Sequence, residues 1–222
     1  YQWKVGGSDV LGATNATWTN TPLGSELITC ELTSGETCTS GSPAISNDLA
    51  MTVNPLLPVS VSILASANPV CAGTSVTYTA NPVNGGVPAL YQWKVGGSDI
   101  PGATNATWIN TPLGGEVITC ELTSGEACAN GSPAISNELA MTVHPLLPVS
   151  VSISASANPV CAGTSVTYTA NPVNGGIPAL YQWKVGGSDV LGATNATWTN
   201  TPLGGELITC ELTSGEACTS GS

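Results

Sequence analysis

The sequence predicts an all-β chain of antiparallel β-sandwich domains set end to end. The first ground is a period. Tyr-Gln-Trp-Lys-Val occurs at Tyr1, Tyr91 and Tyr181, and the rest of the chain recurs in register with it. Residues 1–90 and 91–180 differ at 12 positions, so 78 of 90 are identical. A solenoid repeat runs to roughly 20–50 residues, whereas this longer unit suits a small independent domain. The second ground is alternation: Tyr91, Trp93 and Val95 share one face of an extended stretch and Gln92 and Lys94 the other. No segment shows a helical period. The third is spacing, since about seven short apolar runs between Gly, Pro and Asn clusters fit a sandwich of roughly 90–100 residues.

Read from Pro55, the unit begins with Leu56-Leu57-Pro58, a short stiff linker because proline fixes φ and has no amide to donate. Val59, Val61 and Ile63 alternate with serines as a half-buried strand. Asn68 to Gly73 is turn chemistry, and Val76, Tyr78 and Ala80 line one face of the next strand. A loop over Asn81–Gly86 leads to the Tyr91 strand, which Gly96-Gly97 ends. Asp99 to Gly102 is at most an edge segment, a place that suits Pro101. Ala106–Ile109 forms a strand with Trp108 inward, and Val117–Thr123 another with Ile118, Cys120 and Leu122 on one face. A long loop from Ser124 to Pro133 precedes a last strand carrying Leu139, Met141 and Val143. The expected core is Val61, Val76, Tyr78, Trp93, Trp108, Ile118, Leu122, Leu139 and Met141. In a chain without Phe, Trp93 and Trp108 supply most of the large buried area, and Cys120 joins them as a core anchor. The domains are then a partial repeat over 1–54, a complete one over 55–144 and a second partial one over 145–222.

Charge narrows the function. Fourteen acids face three lysines, there is no arginine, and the net charge is −11. Such a chain cannot neutralise phosphates, which argues against nucleic acid. With 41% hydrophobic residues it is not a disordered acidic tail either. A surface of Ser, Thr, Asn and Gln fits a secreted or cell-surface protein that packs on neighbours or carries sugar. No apolar run reaches the ~18 residues of a membrane span. The sequence opens inside a repeat without a signal peptide, which reads as a window on a longer protein or a mature fragment.

Five motifs follow one another along the unit: Cys-x-Gly-x-Ser-Val-Thr from Cys71, Tyr-Gln-Trp from Tyr91, Gly-Ala-Thr-x-Ala-Thr-Trp from Gly102, Val-Ile-Thr-Cys ending at Cys120, and Ser-Asn-x-x-x-Met-Thr-Val from Ser136. This order resembles the tandem immunoglobulin-like (PKD-like) repeats of very large secreted surface proteins in Bacteroidota-type bacteria, gliding-motility adhesins and filamentous proteins among them. The resemblance implies strands C to G in residues 1–54 and A to F in 145–222. It places Trp93 at the strand-C tryptophan and Cys120 at the strand-F cysteine. Ala80 occupies the usual strand-B cysteine position, so the inter-sheet disulfide is absent.

Of the eight cysteines, each complete period holds three, and pairing within one domain leaves a thiol over. Cys71 falls in the A–B turn and Cys128 in the F–G loop at the opposite end. A strand of eight residues spans ~26 Å, beyond the ~7 Å that a disulfide allows between Cα atoms. End-to-end stacking brings the A–B turn of one unit to the F–G loop of the next, which makes Cys71–Cys218 a candidate interdomain disulfide. A local Cys120–Cys128 bond and free structural cysteines are the alternatives. There is no Cys-x-x-Cys, and the one histidine, His144, is Asn54 in the preceding unit, so neither a metal site nor a nucleophile–base pair recurs. No cofactor is expected, and calcium at a joint lacks its acidic loop. Asn15, Asn105 and Asn195 stand in Asn-Ala-Thr and Asn130 in Asn-Gly-Ser, which match the N-glycosylation pattern in exposed turns or arise by chance. Each lysine, Lys4, Lys94 or Lys184, is placed to meet an acid on a neighbouring strand.

Two functions follow. One is a non-catalytic structural segment of a secreted filament or adhesin stalk, self-associating through regular joints and open edges. The other is a multivalent module that binds glycans or surfaces by repetition.

Overall fold

The computed structural model describes residues 1–221, and its described residues form strands and turns without a helix. The complete unit shows why. The first unit contributes β1 (Gln2–Val5), β2 (Ser8–Asp9), β3 (Leu27–Leu32), β4 (Ala44–Ile45) and β5 (Leu49–Ala50). These form a single sheet in the order β2-β1-β3-β4, with β5 also on β3.

The second unit is a full sandwich. Its early strands are β6 (Leu57–Pro58), β7 (Ser60–Ala65), β8 (Val70–Cys71) and β9 (Val76–Val83). Then come β10 (Leu90–Val95), β11 (Ser98–Asp99), β12 (Thr107–Asn110) and β13 (Val117–Thr123). The short segments β14 (Ala129–Asn130), β15 (Ala134–Ile135), β16 (Leu139–Ala140) and β17 (Val143–His144) finish it. One antiparallel sheet runs β12-β9-β7 and the other β11-β10-β13-β15, with β16 also on β13. In immunoglobulin terms these are sheets A-B-E and C′-C-F-G. Alternation places Val61, Ile63, Val76, Tyr78, Ala80, Trp93, Ile118, Cys120 and Leu122 between them, all buried. Tyr78, Trp93 and Trp108 form a ring cluster: Trp108 stacks on Tyr78 at 5.3 Å and lies 5.9 Å from Trp93.

The third unit repeats this with β18 (Leu147–Pro148), β19 (Ser150–Ala155), β20 (Val166–Val173), β21 (Leu180–Val185), β22 (Ser188–Asp189), β23 (Thr197–Asn200), β24 (Ile208–Thr213) and β25 (Thr219–Ser220). Its sheets are β19-β20-β23 and β22-β21-β24, around Val166, Tyr168 and Trp183. A cleft of about 970 Å³ in this unit is bordered by Val160, Tyr168, Leu203 and Ile208.

Four sequence expectations need correction. Leu57-Pro58 is not a free linker: as β6 it pairs in parallel with β14. Leu57 N–H donates to Cys128 O and Val59 N–H to Asn130 O, both at 2.8 Å. A strand edge uses alternate amides, so Pro58 occupies the position whose missing donor costs nothing. Strand B runs through Pro82 to Val83 for the same reason, with Pro82 opposite Val61. The expected last strand is broken into β15, β16 and β17, and the chain crosses from β13 to β8, where Val143 and His144 pair with Val70 and Cys71. His144 is therefore a strand residue, its carbonyl accepting from Ala72 N–H at 2.8 Å. Finally, strand E is missing from the first unit. In the other units it pairs with strand B, as β12 with β9 and β23 with β20.

Candidate functional site

The joint between the second and third units is where the sequence-predicted residues meet. Cys71 ends β8, in a turn closed by Thr74 N–H donating to Cys71 O at 3.1 Å. Gly73 has φ +84°, a conformation that L side chains rarely adopt. Cys218 lies on the loop after β24. That loop is pinned to the turn before β21: Gly215 N–H donates to Gly175 O at 2.9 Å and Ser214 Oγ to Asn174 O at 2.7 Å. A Cβ on Gly215 would stand 2.5 Å from Pro178 O, so the approach requires glycine. Glu216 N–H closes the loop on Ser214 Oγ at 3.1 Å. The result is two half-buried sulfurs joined as the Cys71–Cys218 disulfide, with Cα atoms 5.4 Å apart and 147 residues of separation. Cys71 Sγ also lies 3.6 Å from Ala217 O. No hydrogen-bonded sheet crosses this joint among the described residues, and the disulfide bridges it.

The sequence marks Asn81–Gly86 as a loop but does not show that its Asn-Gly-Gly turn holds the cysteine loop. Its signal was the recurrence of Asn84-Gly85-Gly86 and Asn174-Gly175-Gly176 together with Ser124-Gly125 and Ser214-Gly215. Gly125 meets Pro88 O just as Gly215 meets Pro178 O, at 2.5 Å from an added Cβ.

The other candidate residues lie apart. Trp93 and Cys120 are opposite each other across β10 and β13 and fully buried, with Trp93 Nε1 donating to Asn105 O at 2.9 Å. Trp108 is half-buried over Tyr78. Ala80 is buried at the strand-B position, and Cys120 is free, as is Cys128, so no bond joins those two. Burial pushes the Cys120 thiol up to about 11 and raises that of Cys210, leaving both protonated near neutrality. Asn15, Asn105 and Asn195 are exposed at bends; Asn130 is exposed but lies in β14 rather than in an open turn.

Each lysine meets two acids. Lys94 Nζ stands 2.5 Å from Asp99 and 3.3 Å from Glu121; Lys4 reaches Asp9 and Glu31, and Lys184 Asp189 and Glu211. Hydrogen bonds to these carboxylates raise all three lysine pKa values, the first cause being Asp9 for Lys4, Asp99 for Lys94 and Glu211 for Lys184. Solvent-accessible pairs of this kind add little stability. Among the described residues no three His, Cys, Asp or Glu side chains gather to hold a metal ion.

Fold and joint together define the chain as tandem immunoglobulin-like domains, the second and third of which are joined by a disulfide. No protein-family profile matches it. It is 31% identical over 145 residues to the highly immunogenic outer capsid protein of Enterobacteria phage T4, covering 60% of this chain and 36% of that protein. The chain thus spans about a third of the relative's length. Similar solved structures include three N-terminal domains of the bacteriophage RB49 outer capsid protein, with 15% identity, TM-score 0.34 and coverage of 64% of this chain and 48% of that one. The first eight immunoglobulin domains of Down syndrome cell adhesion molecule give 13%, 0.40, 95% and 36% on the same measures. The mouse nectin-like molecule 4 ectodomain gives 14%, 0.34, 70% and 59%.

Proposed function

We propose that this chain is a structural, non-catalytic segment of a secreted bacterial filament or adhesin stalk, displayed outside the cell and built by stringing near-identical sandwiches through stapled joints. The Cys71–Cys218 bond carries the reading. A disulfide between domains persists only in an oxidising compartment. It does nothing for a binding pocket, and it limits bending where few other contacts do. The similarity to an outer capsid protein supports surface display. Units that differ at few positions would build like joints, which favours a regular array. Negative-stain electron microscopy of the native material, with and without reductant, tests this. Regular strings with a one-domain repeat that loosen on reduction are expected; strings equally flexible in both conditions overturn it.

A second reading, a multivalent module that binds glycans or surfaces, rests on one observation. Leu11 and Leu191 project fully into solvent, each 101% exposed, at the same turn of two units. Binding to glycan-coated or cell surfaces that drops when both become Ser supports that reading; unchanged binding removes it.

A further inference from the structure

The edges of the second unit's two sheets are not equally open. On β7 one side chain takes both outward main-chain groups of Ile63: Ile63 N–H donates to Asn137 Oδ1 at 2.9 Å, and Asn137 Nδ2 donates to Ile63 O at 3.4 Å. In the other sheet the outer strands β11, β15 and β16 are 2 residues each. β11 also carries the Asp99 that meets Lys94, and Pro133 precedes β15. Capped, short, charged or proline-flanked edges pair poorly with another chain. β12 has none of these features. It is Thr-Trp-Ile-Asn, 4 residues without charge or proline.

The register fixes what that edge offers. Ala80 N–H donates to Ala106 O at 2.9 Å, and Trp108 lies opposite Tyr78 in the same ladder. Bonded and unbonded positions alternate along an antiparallel pair, so Thr107 and Ile109 point their N–H and C=O groups away from β9. Among the described residues no other strand pairs with β12, and no loop hydrogen bond reaches those groups. Thr107 is exposed and Ile109 is 64% exposed. Charge points the same way. On a chain of net charge −11, no Lys, Asp or Glu lies in β7, β9 or β12. Two copies meet along this sheet with the least repulsion.

We infer that two copies of this chain join side by side through β12, antiparallel about a two-fold axis at Trp108. Thr107 of each copy pairs with Ile109 of the other, exchanging main-chain hydrogen bonds in both directions. The two three-stranded sheets become one continuous sheet. Thr107 and Ile109 pack across its outer surface, and the exposed part of each half-buried Trp108 meets its copy on the inner one. The contact is self-complementary and closes on itself. It rests on the reading that copies of this chain assemble, and names their lateral contact.

The test uses the whole chain with its accessible free thiols alkylated and the Cys71–Cys218 bond intact, so that sulfur chemistry cannot link copies. Sedimentation equilibrium over a concentration series gives the mass, and hydrogen exchange at the same concentrations locates the contact. A monomer–dimer equilibrium is expected, with the Thr107 and Ile109 amides protected only in the dimer. Ile109→Lys should weaken the dimer about tenfold, since it changes both symmetry-related cross-strand pairs at once. Ile109→Pro removes an N–H that β9 does not use and should abolish the dimer. Leu64→Ser, exposed on the same sheet but on the strand farthest from this edge, should leave it unchanged. Retained amide protection in β9 reports on the fold of each variant. A chain that stays monomeric at every concentration overturns the inference. So does a dimer that leaves Thr107 and Ile109 unprotected, survives Ile109→Pro, or dissociates with Leu64→Ser. Those outcomes leave the stapled joint standing, since reduction of Cys71–Cys218 tests that separately.

Discussion

Replacing Cys71 by Ser removes the disulfide between the second and third units, and its cost follows from chain length. The bond closes 147 residues. In the chain-entropy treatment, such a loop restricts the unfolded ensemble by about 17 cal/mol/K, or about 5 kcal/mol at 25 °C. If only the third unit unfolds, the mobile segment is residues 145–218, and the same relation gives about 4 kcal/mol. The loss should fall mainly on that third unit. Its core is the less closed of the two: Ile153 is 36% exposed where its equivalent Ile63 is 2%, and Cys210 is half-buried where Cys120 is fully buried. Hydrogen exchange under native conditions reads both units at once. Amides of β20 should lose most of their added protection in the Cys71→Ser chain, while those of β9 change little. Cys218→Ser should do the same, and the double variant should add nothing further. Equal exchange in β20 with and without the bond would falsify the claim that the staple stabilises the unit it holds.

Two further predictions concern the core. Tyr78 Oη is buried without a hydrogen-bond partner among the described residues, its ring held between Trp93 and Trp108. Tyr78→Phe removes that orphaned hydroxyl and should stabilise the second unit by about 1 kcal/mol, the low end of an unsatisfied group's cost; a lower denaturant midpoint would contradict this. Alkaline pH should destabilise the fold. Burial raises the pKa of Cys120 to about 11 and raises that of Tyr78, and carboxylate partners raise those of the lysines. Each group keeps its proton longer when folded than unfolded, so its contribution is complete at neutral pH and is lost as pH climbs through the folded values. Thermal melts should decline from about pH 9 upward, where an unfolded thiol begins to ionise, and Cys120→Ala should flatten the part of the curve between 9 and 11. A flat profile to pH 11 would refute it.

How far the sequence was legible depended on the range of the forces involved. Alternation places Val76, Tyr78, Trp93, Ile118 and Leu122 inside because a strand's period is local, and all of them are buried. The pairing of β6 with β14 was hidden because proline reads as a linker when the edge it lies on is unknown. The break-up of strand G was hidden too. Met141 and Val143 alternate as a strand should, yet hydrogen bonds from Asn137 and Asn68 pull the segment from one sheet to the other. Ile63 N–H donates to Asn137 Oδ1 and Thr142 N–H to Asn68 Oδ1, each at 2.9 Å. Contacts across 74 residues leave no local trace. At the joint, the cysteines were visible by counting, whereas the glycines that seat their loop became meaningful only once Gly215 lay against Pro178.

The placement of cysteines separates the stability of the second unit's core from the stiffness of the joint that follows it. An immunoglobulin-like sandwich that bonds strand B to strand F links its redox state to its own folding. Here Ala80 faces that role without sulfur, and Cys120 remains a protonated thiol packed against Trp93. The domain core therefore rests on apolar burial: Trp93, Tyr78, Ile118 and Leu122 are fully enclosed. The bonded sulfurs sit only where one unit meets the next. A reductant then acts on bending between domains while leaving the second unit's core contacts in place. Joint flexibility and the second unit's core stability can therefore respond to different conditions.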